Sequence, residues 1–425
     1  MSTTVGRPEA VITGIGSITP VGRGVTTTFD GQCEGRSGIV TPPADHEVSG
    51  WLEAAGVSEQ IRPIDLLRPP IDSCIDRYVL LALAAADDAI ADAGLIVGEN
   101  VDPLRVATIV SSGGGGLKTY EEQAAARRAS GKNAVNPYLA PGMLPNMASA
   151  RIAIKYGLRG YSSAIATACA AGGQSIADGL RLIREGEADV VVCGGSDAPL
   201  HPTVATAFSN TNALARNWKE PHRASRPFDT ARNGFVLSEG AAVVILERTE
   251  HADARGAAGY GTVLGWGMTT DGYHIAAPRP DGDGAAECMR RALTNAGLTP
   301  ADITYVNAHG TSTKLGDTAE SRAIRAVFGT HSPAVSATKS VTGHTLGAAG
   351  AVEAAVTAIS IARGMMPPTI NLDEVDSTCD LDHVTGKPRL GAVSAAISNS
   401  FGFGGHNVSL VFGPAGTRRR RFADA

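Results

Sequence analysis

The sequence lacks the marks of several large classes of protein. Its six cysteines, Cys33, Cys74, Cys169, Cys193, Cys288 and Cys379, never form a Cys-x-x-Cys pair, so spacing gives no basis for a zinc site or a disulfide framework. They read instead as buried thiols acting as small hydrophobes, with room for one reactive member. No apolar run approaches the roughly 20 residues that span a bilayer. The polar stretch Met1 to Val11 leads into a segment too short and too glycine-rich for a signal peptide. A cytoplasmic location is expected, and no membrane partner. A formal net charge of -5 over 425 residues leaves no broad basic field for nucleic acid. The one basic cluster, Arg418 to Arg421, reads as part of a flexible, solvated tail over 414–425.

What is present is a large apolar reserve, 43% hydrophobic against 19% charged residues, which predicts a sizeable rigid core. Short β-branched runs recur at Val11 to Thr13, Val106 to Val110, Val190 to Val192, Val243 to Leu246, Ile303 to Val306 and Val408 to Phe412. Between them lie Ala- and Leu-rich stretches with helical spacing, such as Tyr78 to Ala93 and Ala349 to Ile361. Fully apolar strands alternating with helices predict an α/β fold whose sheets are covered on both faces. Helices apolar all round must be buried on every side, which points to a layered α/β/α/β/α body with central helices. Arg255 to Gly261, where a charged helix end gives way to Gly256 and Gly259, reads as a connection between two halves.

Three segments carry chemistry. In Ile165-Ala-Thr-Ala-Cys169-Ala-Ala-Gly-Gly-Gln-Ser-Ile176, β-type residues stop at Cys169, and Ile176, Leu180 and Ile183 follow at helical spacing. A cysteine at a strand-to-helix turn sits at the positive end of the helix dipole, which favours thiolate and predicts a lowered pKa. Its small neighbours predict open access for a substrate; a small residue packed in a tight site is the equal alternative. Asn307-Ala-His309-Gly-Thr-Ser-Thr313-Lys-Leu-Gly-Asp317 follows a predicted strand, and Lys339-Ser-Val-Thr-Gly-His344-Thr-Leu-Gly-Ala-Ala-Gly350 precedes a predicted buried helix. Both histidines lie at element ends, where α/β proteins expose working groups. Neither has the spacing or acidic neighbours of a metal ligand. Two neutral imidazoles could donate to one oxygen and stabilise an enolate.

Together with Val11 to Gly22 (VITGIGSITPVG), Arg226 to Gly240 (RPFDTARNGFVLSEG) and Asn399 to Asn407 (NSFGFGGHN), these segments resemble, over nearly the whole chain, the β-ketoacyl-acyl carrier protein synthases of the KAS I/KAS II type in the thiolase-fold superfamily. The resemblance implies a duplicated five-layer α/β/α/β/α fold with buried central helices. It divides the chain into an N-terminal half, 10–255, with the nucleophile, and a C-terminal half, 256–413, with both histidines and the lysine. The implied reaction is decarboxylative Claisen condensation of a Cys-bound acyl group with malonyl-carrier protein, an acyltransferase step of fatty-acid elongation. The alternative is the ketosynthase subunit of a dissociated polyketide synthase.

Carried over position by position, the resemblance makes Cys169 the acyl acceptor and His309 and His344 the holders of the malonyl thioester carbonyl. Lys339 would pair with Glu353 as an electrostatic organiser, and Asp317 would be scaffold. The amides of Cys169 and Phe401 would form the oxyanion hole, with Phe401 also the gating phenylalanine of a Gly-rich turn that includes Phe403. Thr311 and Thr313 would bind the pantetheine arm. No metal and no bound cofactor is implied. Partners would be the acyl carrier protein and a second subunit, identical or a chain-length factor, whose acyl pocket Tyr138 would approach. Lys118 and Arg216 read as solvated charge, with contact to an acidic carrier protein as the other reading. Cys169 argues against a chain-length factor, which lacks the nucleophile, and His344 against a thiolase.

Two departures concern specificity. Gly114, within Ser112-Gly-Gly-Gly-Gly116, stands where the KAS II type has an isoleucine at the base of the acyl pocket, predicting a deeper or wider pocket. That run is not a phosphate loop, since Leu117 stands where glycine must precede the lysine. Cys169-Ala-Ala-Gly-Gly and Lys314 depart from the fatty-acid pattern, Lys314 resembling the aromatic polyketide ketosynthases of the dissociated type, while Ser400-Phe401-Gly-Phe403-Gly-Gly keeps the fatty-acid style.

Overall fold

Among the described residues, ten of the eleven strands of the main sheet form two sets of five with one repeated plan. The computed structural model describes residues 9–59, 61, 74–416, 418–420 and 422; Met1 to Pro8 and Arg421 of the basic cluster lie outside them. The first set is β1 (Ala10–Thr19), β2 (Val106–Ser111), β3 (Ser162–Ser163), β4 (Val190–Asp197) and β5 (Gly240–Arg248). The second is β6 (Gly261–Thr270), β7 (Tyr305–Asn307), β8 (Ala334–Ser336), β9 (Ala396–Gly402) and β10 (His406–Gly413). In space the first set runs β1-β5-β4-β2-β3 and the second β6-β10-β9-β7-β8. Each has antiparallel pairing between its first three members in space and parallel pairing beyond them. The sets join where Ala10 to Ile12 of β1 pair antiparallel with Val263 to Gly261 of β6, next to the Arg255 to Gly261 connection.

Helices follow the same duplication. Between first and second strands lie α1 (Arg77–Ala93) and, in the other half, α5 (Asp283–Ala296); between second and third, α2 (Leu117–Ser130) with the short α3 (Leu139–Met143), and α6 (Lys314–Phe328). Between third and fourth lie α4 (Ala171–Arg184) and α7 (Ala349–Arg363). α1 starts where Asp76 accepts a bond from the Tyr78 amide and stops at Gly94, whose φ of 64° suits a residue without Cβ. It covers the outer face of β1 and β5, as α5 covers β6 and β10. α4 and α7 pack on each other and touch strands of both sets, giving the five layers α/β/α/β/α. α7 is buried from Ala349 to Ile361, as its all-round apolarity predicts. Against the expectation that no apolar run nears membrane-spanning length, Leu346–Arg363 is long and apolar enough to do so; 83% of it is buried inside the protein.

Of the residues expected to form a flexible tail, Arg420 donates to the Asp92 carboxylate and stacks 4.7 Å from the Tyr260 ring, while Arg363 lies 4.4 Å from the Phe422 ring. Arg420 of the basic cluster and Phe422 after it thus lie on the body.

Candidate active site

The strand expected to run up to Cys169 is not formed. β3 ends at Ser163, and Cys169 sits in a single 3₁₀ turn, Ala168–Ala170, that feeds α4. Ala168 holds φ at 49°, a left-handed conformation costly for a residue with Cβ, and this aims the turn into a cavity of about 570 Å³ lined by Cys169, His309 and His344. The expectation of an acidified thiol is not met. Burial pushes the Cys169 thiol up to about 12, outweighing the nearby Lys339 ammonium that pulls it down, because a thiolate 8% exposed has almost no water to solvate it. The amides that face the sulfur are those of Cys169 itself and Phe403. The small neighbours are also not simply an access path. A Cβ on Gly172 would stand 2.7 Å from the Gly347 carbonyl, and one on Gly350 would stand 2.7 Å from the Gly173 nitrogen. These glycines let the starts of α4 and α7 cross at backbone distance.

His309 follows β7, and His344 ends the loop between β8 and α7; their rings meet edge to face at 5.4 Å. Lys339 Nζ donates to His309 Nδ1 (3.2 Å), to the His309 carbonyl (2.7 Å) and to the Glu353 carboxylate. An ammonium has no acceptor, so Nδ1 is the bare nitrogen and the imidazole proton sits on Nε2, turned away from Lys339. Burial, and after it the Lys339 charge, holds both histidines well below their usual pKa, so both are neutral near pH 7. Among the described residues His344 Nδ1 has no hydrogen-bond partner, and no protein group selects its tautomer. Burial pushes Glu353 up, to about 7, against the pull of Lys339. Behind them Glu320 accepts the amides of His309 and Gly310 at 2.8 Å each, fixing the turn that carries the imidazole. Asp317 accepts the Phe228 and Ser312 amides, at 2.8 and 3.1 Å, a scaffolding position; burial raises it to about 7 despite Arg232.

Thr311, Thr313, Phe401 and Phe403 line the same cavity, Arg216 and Lys314 among its charged groups. The two threonine hydroxyls meet at 2.9 Å, and Thr313 also caps α6 by accepting the Gly316 amide. The amide expected of Phe401 at the sulfur is that of Phe403 instead. Phe401 still lies in β9, paired with Asn407, and its ring rests 5.7 Å from His309. Phe403 has left the ladder into a turn where Gly404 and Gly405 hold φ at 83° and 74°, and its amide, not that of Phe401, reaches the sulfur. Its ring, 39% exposed, stands 6.1 Å from Phe208, which stacks edge-on against Phe235, which in turn meets His344 at 5.4 Å. Phe208 and Phe235 were not singled out in the sequence; Phe235 lies in the quoted RPFDTARNGFVLSEG segment, Phe208 in none.

Gly114 and Tyr138 are not among the residues lining this cavity. Gly114 is exposed, and a Cβ there would touch only Leu117, at 3.5 Å; Tyr138 is 40% exposed at the start of α3. Gly114 precedes α2, which packs on α3, and Leu117 and Tyr120 of α2, Leu144 just after α3 and Tyr161 just before the edge strand β3 are also exposed. Lys118 is tied to Glu47 at 2.5 Å.

Comparison with known proteins places this arrangement. Residues 8–252 match the sequence model of the N-terminal domain of β-ketoacyl synthases and residues 260–373 that of the C-terminal domain. The chain is 42% identical over 412 residues to a "3-oxoacyl-[acyl-carrier-protein] synthase 2" of Synechocystis sp., covering 96% of this chain and 98% of the relative. It is 38% identical to the protein of the same name from Staphylococcus aureus, with 95% and 98% covered. Among solved structures, "the ishigamide ketosynthase/chain length factor" superposes with a TM-score of 0.89 at 35% identity, covering 97% of this chain and 100% of that one. With its duplicated five-layer fold and with Cys169, His309 and His344 around one cavity, the chain belongs to the β-ketoacyl synthase family.

Proposed function

We propose that this cavity performs the condensation of 3-oxoacyl-[acyl-carrier-protein] synthesis in fatty-acid elongation. The Cys169 thiol attacks the thioester of an acyl-carrier protein; the C–S bond to the carrier breaks, the acyl group passes to Cys169, and the thiol proton leaves with the carrier's thiol. A malonyl-carrier thioester then places its carbonyl oxygen against His309 and His344. Nε2–H of His309, set by Lys339, supports the enolate as carbon dioxide departs. The enolate carbon attacks the acyl carbon on Cys169, and the oxyanion takes the amides of Cys169 and Phe403. That attack forms the carbon–carbon bond; collapse of the oxyanion restores the carbonyl, breaks the C–S bond and expels the Cys169 thiolate, which regains a proton from water because its pKa is high. Each amide of such a hole is worth about 3 kcal/mol of barrier. Thr311 and Thr313 hold the pantetheine arm, and Phe403, with Phe208 and Phe235 behind it, forms the gate wall.

The observation that carries this reading is the meeting of Cys169, His309 and His344 in one cavity with two amides at the sulfur. Incubation with acyl- and malonyl-carrier-protein thioesters tests it: the 3-oxoacyl product and an acyl mass on Cys169 are expected, both lost in Cys169→Ala. Absence of acyl transfer to Cys169 in the wild type overturns the reading.

The carrier protein is one partner and a second subunit the other, assembled in the cytoplasm. The apolar face around Leu117, Tyr120 and Tyr138 beside β3 supports a dimer continuing the sheet, which would bring Gly114 and Tyr138 to the partner's acyl pocket. A second reading, polyketide ketosynthase paired with a chain-length factor, is favoured by Lys314, by Ala170-Ala171-Gly172 after the nucleophile and by the likeness to the ishigamide protein. Native mass spectrometry of the chain expressed alone and with its genomic neighbours separates homodimer from heterodimer.

A further inference from the structure

The two halves share more than strand order. The Cys169 turn, Ala168–Ala170, leads into α4; its counterpart Leu346–Ala348 leads into α7 after the equivalent third strand. Ala168 and Leu346, the first residues of these turns, both hold φ at 49°. Gly347 therefore occupies the place in the second half that Cys169 occupies in the first. At Cys169 the amides face the sulfur inside the substrate cavity. At Gly347 the amide is already bonded: Asp197, at the end of β4, accepts Gly347 N–H at 2.6 Å, Gly113 N–H at 2.9 Å and the Ser112 hydroxyl at 2.5 Å, with Gly114 N–H at 3.3 Å. The carboxylate is 2% exposed. A Cβ on Gly195 would fall 2.4 Å from the Gly347 carbonyl and one on Gly113 would fall 3.4 Å from the Ala168 carbonyl. The two turns and the glycine loop after β2 thus converge on this one acid.

We infer that Asp197 is a positioning residue for the condensation: its carboxylate fills the counterpart of the oxyanion cradle and fixes the turn that begins two residues after His344 in register with Cys169. Leu346, the first residue of that turn, lines the catalytic cavity with His344, so slack at Gly347 moves the imidazole that receives the enolate. Burial first, and Asp197 after it, keep Cys169 protonated against Lys339; burial also raises Asp197 itself, opposed by Ser112 and the amides it accepts, and His309, His344 and Glu320 line the cavity with the thiol. A carboxylate bound by amides and a hydroxyl on several loops is replaceable in principle by a small free carboxylate, because the donors are held by the surrounding chain and not by the residue that supplies the acid.

The inference rests on the proposed condensation, and its test reads the two half-reactions separately. In Asp197→Ala, decarboxylation of malonyl-carrier protein should fall at least tenfold in kcat, with acyl transfer to Cys169 reduced much less, and sodium formate should restore decarboxylation to the variant but not raise it in the wild type. Ser112→Ala, which keeps the acid and removes one donor, should lose two- to fivefold in the same direction and not respond to formate. Iodoacetamide should alkylate Cys169 of Asp197→Ala at lower pH than the wild type. Decarboxylation within twofold of wild type in both variants overturns the inference, as does an equal loss of both half-reactions without formate rescue, which marks a purely structural residue. If Asp197→Ala does not fold, Ser112→Ala decides by the same split. Wild-type protein that never acylates Cys169 refutes the condensation itself, a distinguishable result.

Discussion

The halves agree in strand order and turn geometry and differ in the side chains they bring to the catalytic cavity, although the first half also buries Asp197, Glu239 and Glu247 away from it. Around Cys169 the turn is built of Ala168, Ala170, Ala171 and Gly172, whereas the other half sinks Lys339, Glu353, Glu320 and Asp317, each 2% exposed or less. Burying ions costs several kcal/mol each unless they are paired and hydrogen-bonded, so such groups persist where a strong local field is useful. Duplication supplied two copies of a frame. At the cavity one supplies a neutral thiol and the other the Lys339 ammonium with two neutral imidazoles, and the reaction needs both.

The largest effect should come from breaking the charged side. Lys339→Met leaves the Glu353 carboxyl buried without its cation and His309 Nδ1 without its donor; a loss of about 3–5 kcal/mol in urea unfolding is expected, together with loss of decarboxylation. Lys339→Met combined with Glu353→Leu should recover at least half of the stability and none of the activity, since nothing then selects the His309 tautomer. If the double variant is no more stable than the single, the pair is not the source of the loss.

Next comes the seam between the halves. Gly172→Ala forces a Cβ to 2.7 Å from a backbone carbonyl and should cost about 1–3 kcal/mol, read as a lower melting temperature, with acyl transfer impaired because α4 carries Cys169 at its start.

A pH comparison sharpens the contrast at smaller amplitude. Cys169 is raised to about 12, so thiolate grows with pH throughout the working range, and acyl transfer should climb roughly tenfold per pH unit between 6 and 9. The histidines are lowered well below their usual value and remain neutral over the same interval, so decarboxylation in Cys169→Ala should stay within about twofold from pH 6 to 8. An inflection near 6.5 in that variant that persists when Glu353, itself raised to about 7, is replaced by Gln would show that an imidazole titrates there.

The smallest effect is expected at Gly114. Gly114→Ile adds a side chain to an exposed loop and should change stability by less than about 0.5 kcal/mol. If the apolar face is a subunit interface, the variant should accept a narrower range of acyl lengths; an unchanged length profile removes Gly114 from the acyl pocket.

The sequence was informative where function rests on single side chains in short segments. Cys169, His309, Lys339 and His344 sat in quoted stretches, and strands such as Val190 to Val192 announced themselves by β-branched runs. It was uninformative where position depends on the backbone of a distant segment. Phe401 and Phe403 are two residues apart in one Gly-rich turn, and only the end of the β9–β10 ladder decides whose amide is free. Asp197 closes an apolar strand and reads as its polar end; its partners lie 84 residues before it at Gly113 and 150 after it at Gly347. The raised thiol pKa was missed for a related reason: a helix start favours thiolate, but burial, invisible in sequence, opposes it more strongly.

The crossing at Gly172, Gly195 and Gly347 also bears on how such an enzyme diversifies. Side chains cannot be added there without parting the layers, so the catalytic centre is closed to gradual change from within. Variation in product must enter through cavity-lining positions outside that crossing, such as Phe208, Arg216, Phe235 and Lys314. A directed library aimed at altered acyl groups would therefore spend its diversity at those positions and hold the glycines constant.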